Sequence, residues 1–318
     1  MQFPQLNKWR SLLCYYLENK RFKFFLQKVG SQMKIAIITD STCDLPLEII
    51  KEYDIEVLPF SLHVDEKEYL DGITIETEVL YQTMREGKTP KTSQISPSLM
   101  KKSFIHHAQQ GDTCLYISFS SEMSGAYQTS LIIAREVKEL YPDFDIEIID
   151  SKSGSLALGL VVYQAARMVR DGKTKKEILN FIKYQTSHME HVFTVDNLEY
   201  LHKGGRVSRT SAIIGNILNI KPILHVKKGQ ILLLEKVRGR KKALERLLEL
   251  MEMRCLKTKE QIIGITHADD LETALQLKTM IQERFDFNDF IINLIGSVLG
   301  AHIGIGGVGL FFLNETTN

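Results

Sequence analysis

The feature that most constrains this chain is a junction near its start. Lys34 to Thr39 reads KIAIIT, a β-branched run, and it breaks at once into Asp40-Ser41-Thr42-Cys43-Asp44-Leu45-Pro46. A short apolar strand giving way to turn and helix-opening residues is the first half of a β-α unit, because a strand buried on both faces needs helices to cover it. Asp44 is placed to cap the following helix, with Pro46 in its first turn, where a missing N–H is no loss. The unit recurs. Further strands are predicted at Ile55–Leu62, Thr113–Ser118 and Ile146–Ile149. Helices are predicted at Thr77–Arg85, from Ser96-Pro97-Ser98 onward, and over Gly125–Leu140, Ser155–Arg170 and Thr174–Tyr184. This alternation predicts an α/β fold with a doubly wound, mostly parallel sheet.

After His188 the pattern changes. A short strand at Val192–Val195 precedes an apolar, helical segment at Ser208–Leu218. Lys221–Val226 and Gln230–Val237 read as a hairpin about Lys228-Gly229. A helix (Lys242–Met253), a strand (Gln261–His267), a helix (Leu271–Glu283) and two terminal strands (Phe287–Leu294, Val308–Leu313) follow. This half is expected to form an α+β domain with a mixed sheet. The expected organisation is an extension at 1–32, an α/β domain at 33–187 and an α+β domain at 188–318.

Charge separates the extension from the rest. Residues 1–32 carry +5, so a chain with net charge +1 leaves −4 on its body, which argues against nucleic acid as a partner. Phe3, Leu6, Trp9, Leu12, Leu13, Tyr16 and Leu17 recur at helical spacing among basic neighbours, a pattern suited to transient contact with an anionic membrane surface. The plainer reading makes Met33 the natural start and the extension an appendage. It lacks the apolar core and small-residue cleavage site of a secretory signal. No run approaches the ~18 apolar residues of a membrane-spanning helix. Cys14, Cys43, Cys114 and Cys255 lie far apart and form no CxxC, so neither a disulfide framework nor a cysteine zinc site is indicated, and a cytoplasmic setting is expected.

The chemistry lies in hydroxyls at strand-to-helix junctions. Thr92-Ser93-Gln94 precedes one helix start, and Ser118, Ser120, Ser121, Ser124 and Gly125 follow a strand. In a doubly wound sheet such loops converge on one crevice at the carboxyl edge, where helix N-termini favour an anion. Ser41, Ser96 and Ser155 are read first as helix caps. Thr92 and Ser124 stand apart, because their loops hold more hydroxyls than capping requires. Near the end, Gly296 to Gly307 is glycine-dense and brackets one titratable group, His302. GxGxxG is matched formally at Gly304–Gly309, but only a strand and a tail follow it, and GxxxxGK[ST] is absent, so no nucleotide cofactor is expected. His106, His107, His188 and His191 lack partners at metal-binding offsets and are read as surface residues, with no metal site. Arg206 lies in a glycine turn suited to an anion, and the basic run around Arg238 and Arg240 is a candidate docking patch. Ile213, Ile214, Ile217 and Leu218 are more apolar than one packing face needs and are candidate walls of an apolar tunnel.

These blocks, taken in order, resemble a family. IITDSTCDLP, PKTSQISPS, SSEMSGAYQTS, IIDSKSGSLALGL, VDNLEYLHKGGRVSR, IGNILNIKPIL, KVRGRKKAL and GSVLGAHIGIGGVG together look like the DegV family of bacterial fatty-acid-binding proteins. The resemblance implies a two-domain protein that buries one long-chain fatty acid between its domains and needs no cofactor. It implies that Thr92 and Ser124, with Gly125 and His302, contact the acid head, with Ser93, Ser41 and Arg206 as secondary candidates. Here Ala301 and Ile305 replace a hydroxyl residue and a proline of the family segment, and Ile95 replaces another proline. The resemblance further implies a non-catalytic carrier that presents the carboxylate to a separate fatty-acid kinase subunit for acyl-phosphate formation. Two alternatives remain beside it: a lipid or ester hydrolase using Ser124 and His302, and a lipid-responsive regulatory module with no kinase.

Overall fold

Four short parallel strands organise the first half: β1 (Ile35–Asp40), β2 (Glu56–Leu58), β6 (Thr113–Ser118) and β7 (Asp145–Asp150), in the order β2-β1-β6-β7. The computed structural model describes residues 34–196, 198–207, 219–256, 258 and 261–315. β6 is buried along its whole length, as a central parallel strand must be. Helices α1 (Leu47–Glu52), α3 (Pro97–Gln110), α4 (Ala126–Leu140), α5 (Leu156–Arg170) and α6 (Lys175–His188) accompany these strands. α5 is the most buried, because the second sheet lies against it.

The strand expected at Ile55–Leu62 is two strands. Pro59 has no N–H to donate and ends the ladder after Leu58, and the chain resumes as β3 (Ser61–Val64) in a separate antiparallel sheet. β3 pairs with β4 (Lys67–Leu70) on one side and β5 (Lys91–Ser93) on the other, and α2 (Thr77–Arg85) joins them. The sequence reading missed this small sheet, since β4 and β5 carry mostly polar residues. Asp44 is not the N-cap of α1. It adopts a left-handed conformation (φ 49°), Pro46 takes the N-cap position of α1, and the Asp44 carboxylate reaches across to the second half. Ser96 and Ser155 occupy N-cap positions without side-chain capping bonds.

The second half is built on a six-stranded mixed sheet in the order β10-β9-β8-β13-β11-β12. Its strands are β8 (Met189–Thr194), β9 (Ile220–Lys227), β10 (Gln230–Arg238), β11 (Ile263–His267), β12 (Phe290–Leu294) and β13 (Val308–Leu313). Among the described strands of this sheet, only β11 and β12 pair in parallel. The predicted hairpin is present, with Lys228 (φ 50°) and Gly229 (φ 85°) both in the left-handed region that suits a two-residue turn. Helices α8 (Arg240–Arg254) and α9 (Leu271–Arg284) cover one face of the sheet, packing with Val192, Ile263 and Leu310. The other face looks towards the first half, and Phe311 and Ile291 join the core of β1 and β6. A short helix, α7 (Glu199–Lys203), follows β8, and another, α10 (Ser297–Ile303), forms within the glycine-dense segment. The predicted apolar segment around Ile213, Ile214, Ile217 and Leu218 lies outside the described residues, as do 1–32.

Candidate functional site

The junction of the two halves holds a cavity of about 260 Å³ that gathers most of the singled-out residues. Thr92, Ser93, Gln94, Ser124, Gly125, Arg206 and His302 all line it. Each arrives on a different element. Thr92 sits in the middle of β5, opposite the fully buried Leu62 of β3. Ser124 and Gly125 lie in the loop after β6, where Gly125 takes the N-cap position of α4. His302 projects from α10 on the face that also carries Val298 and Leu299, one turn earlier.

The helix α10 is held from the first half of the chain. The Gly296 N–H donates to Asp44 Oδ1 at 2.9 Å, and the Ser297 N–H donates to Asp71 Oδ1 at 3.1 Å. The Tyr81 hydroxyl donates to the Ile295 carbonyl at 2.8 Å. Burial pushes the Asp44 carboxyl up to about 7, although hydrogen bonds from Ser155 and Gly296 favour its ionised form. These contacts aim His302 at β5.

His302 Nε2 lies 2.8 Å from Thr92 Oγ1. Burial, helped by the positive Arg206 nearby, lowers the ring's pKa to about 4, so it is neutral at neutral pH. In the tautomer with the proton on Nε2, the ring donates to Thr92 and leaves the threonine hydroxyl free to donate into the cavity. Gly204 sets the other side of the ring, since a Cβ there would sit 2.0 Å from His302 Nδ1. Arg206 follows two residues later. Its Nε donates to the Met123 carbonyl at 3.2 Å and its Nη1 to the Gly204 carbonyl at 2.5 Å, which fixes the guanidinium at the wall. Burial lowers its pKa. Ser124 Oγ accepts the Ala126 N–H at 3.2 Å. Hydroxyls, a neutral imidazole and one guanidinium around a single space suit an anionic head group.

A second, apolar space adjoins the first. It measures about 70 Å³ and shares Phe119, Met123, Ile231, Leu299 and Ile303 with the polar cavity. It runs inward between the first half and the mixed sheet, where Phe193 and Phe311 face it. The arrangement sets a polar mouth against a greasy chamber.

The family model described as "Uncharacterised protein, DegV family" matches residues 34–315. The chain belongs to the DegV family. Among relatives of this DegV protein, a DegV domain-containing protein of Clostridium perfringens is 42% identical over 286 residues, covering 89% of this chain and 98% of that one. The crystal structure of a DegV lipid binding protein from Thermotoga maritima is similar with a TM-score of 0.80 at 30% identity, covering 90% of this chain and 100% of that one. That of a fatty acid binding DegV family protein from Streptococcus agalactiae gives a TM-score of 0.78 at 33% identity, with coverage of 90% and 100%.

Several residues fall elsewhere than the sequence suggested. Ser41 does not line the cavity; its Oγ accepts the Phe60 N–H at 3.2 Å and so ties the first turn after β1 to the start of the small sheet. Ser93 lines the rim, where its hydroxyl meets His63 Nε2 at 2.9 Å. Arg240 is not a free basic group, since it pairs with Asp270 at 2.7 Å, whereas Arg238 ends β10 exposed. Two histidines read as surface residues are buried. His107 bonds Asp112 at 2.7 Å and Glu56 at 2.5 Å; burial opposes its charge, but contacts with Cys114, Glu56 and Asp112 raise its pKa to about 11. His191 stands in the chamber wall. Gln94, Phe119, Met123, Ile231, Leu299 and Ile303 were missed as lining residues. Gln94 belongs to the hydroxyl-rich block at 92–94, which was its signal; the apolar residues look like any other core residues in sequence.

Proposed function

We propose that this protein is a cytoplasmic, non-catalytic carrier that buries one long-chain fatty acid and presents its carboxylate to a separate fatty-acid kinase for acyl-phosphate formation. The observation that carries the reading is a polar cavity directly beside an apolar chamber, with five lining residues in common. The carboxylate meets the hydroxyls of Thr92 and Ser124 and the charge of Arg206, while His302 holds the Thr92 hydroxyl in register. The tail supplies affinity, because each buried CH₂ contributes ~0.8 kcal/mol and a long chain outweighs one desolvated head group. The fatty-acid-binding relatives support the ligand class. In this reading the chain divides into two domains near residue 187 with the ligand between them, and the exposed Arg238 serves as the kinase-docking residue.

The Ser124 and His302 pairing required by a hydrolase has less support. The ring nitrogen that bonds a hydroxyl bonds Thr92, and Ser124 Oγ is turned to the N–H of Ala126, the first residue of α4. Mass spectrometry of gently purified protein is expected to show a co-purified long-chain acid, and a kinase supplied with ATP is expected to phosphorylate it on the protein. Protein that neither carries nor takes up any such acid would sink the reading. Arg238→Ala is expected to slow phosphorylation while leaving acid binding unchanged; equal turnover removes Arg238 from the docking role.

A further inference from the structure

The inner chamber contains one anomaly. His191 lies on β8 and is only 3% exposed, yet neither of its ring nitrogens has a hydrogen-bond partner among the described residues. Burial lowers its pKa to about 3, opposed by a contact with the Met189 backbone that falls short of hydrogen-bond geometry, so the ring is neutral and carries one donor and one acceptor. A buried polar group left without a partner is destabilising, and native structures rarely keep one without a reason.

Its position supplies the reason. His191 lines the apolar chamber and also a surface groove bounded by Lys183, Ser187 and Lys228, so the ring is the partition between the two. It is the end wall. The Phe311 ring packs edge-on against it at 5.8 Å and fixes its plane. Thr266, on β11, brings a hydroxyl to the same chamber, 3.3 Å from the Ser155 hydroxyl oxygen. A wholly hydrocarbon ligand would leave His191 unanswered, and a purely apolar end wall would have served it better.

We infer that the far end of the chamber recognises an oxygen function on the acyl chain, so that the preferred ligands are hydroxy or oxo fatty acids, with His191 as the specificity-determining residue. The inference rests on the fatty-acid reading above and extends it to the substrate class. A hydroxyl that reaches His191 donates to one ring nitrogen or accepts from the other, and neutral partners suffice because the imidazole is uncharged. An oxo group only accepts, so it pairs with the protonated nitrogen.

The test compares octadecanoic acid with its derivatives hydroxylated at successive mid-chain and terminal carbons, by displacement of a fluorescent acid from the whole protein. Wild-type protein is expected to bind one position about tenfold more tightly than the unsubstituted acid. His191→Phe is expected to abolish that preference and to bind the unsubstituted acid at least as well. The ring-nitrogen NMR signals of His191 are expected to shift with the preferred isomer and not with the unsubstituted acid, a readout in wild-type protein that does not depend on the variant folding. Equal affinity across the series, or a preference that survives His191→Phe, overturns the inference and leaves the fatty-acid reading standing. Folded protein that binds no acid of the series overturns both.

Discussion

At the mouth of the cavity every polar group named above has a partner in the protein, whereas at the inner end a single polar ring makes no well-formed hydrogen bond among the described residues. His302 and His191 make the comparison sharp. His191 is buried and His302 half-buried, and loss of solvent holds both neutral, with the His302 pKa lowered to about 4 and that of His191 to about 3. One bonds Thr92 and is backed by Gly204; the other faces apolar space. A partnered polar group is oriented before the ligand arrives and so directs it, while an unpartnered one gains only when a ligand supplies the missing bond. The mouth is therefore suited to positioning, the chamber walls to affinity, and the end wall to discrimination.

The largest effect expected from breaking this division is at Leu299, which lines both spaces. Leu299→Asp puts an unpaired carboxylate against the tail and is expected to weaken acid binding roughly a hundredfold or more, read by displacement of a fluorescent acid with circular dichroism confirming the fold. Wild-type affinity in a folded variant would show that the chain does not pass Leu299.

Acidification comes next. The unfolded chain protonates histidine near pH 6.5, but folded His302 and His191 resist until about 4 and about 3. Their contribution to stability is present above pH 6.5 and is lost as pH falls through the folded values. Asp44, raised to about 7, has the opposite sign, favouring the folded state at low pH and losing that contribution as pH rises through 7. The informative quantity is thus the difference between wild-type and His191→Phe denaturation curves. The variant is expected to gain relative stability as pH falls from 6.5 towards 3, by roughly a few kcal/mol at the acid limit. A pH-independent difference would mean that His191 titrates in the native state as it does in the unfolded chain.

At the mouth, Gly204→Ala forces the His302 ring away from Thr92, because the new methyl would lie 2.0 Å from Nδ1. About tenfold weaker binding is expected, and an unchanged affinity would show that the ring position is immaterial. The smallest effect belongs to Thr92→Val, which removes one hydroxyl and leaves His302 as unpartnered as His191. It is expected to cost about 0.5–1.5 kcal/mol of binding but more of acyl-phosphate formation, since in-line transfer is sensitive to misplacement of the head. Equal losses in both measurements would argue that Thr92 binds without positioning.

Much of the architecture was written locally. The β-branched run before Asp40, the buried strand at Thr113–Ser118 and the Lys228-Gly229 turn follow from steric preferences of neighbouring residues, and all three are present where expected. The small sheet was not legible, because β5 is a three-residue strand of Lys91, Thr92 and Ser93 that pairs only once β3 has been set beside it. Asp44 was misread for a related reason. Its neighbours suit a cap, but Gly296, some 250 residues away in the chain, is what its carboxylate binds.

The candidate site divides along the same line. Hydroxyls and glycines crowd together in the sequence at Thr92-Ser93-Gln94, Ser124-Gly125 and around His302, so their unusual density was visible without a fold. That three such segments face one space, that Ser41 does not join them, and that His191 closes the chamber depend on strand order and on which face of β8 meets the first half. Local sequence determines what each segment forms and what chemistry it carries. Only packing decides which segments meet, because those contacts are set by the burial of surfaces far apart along the chain.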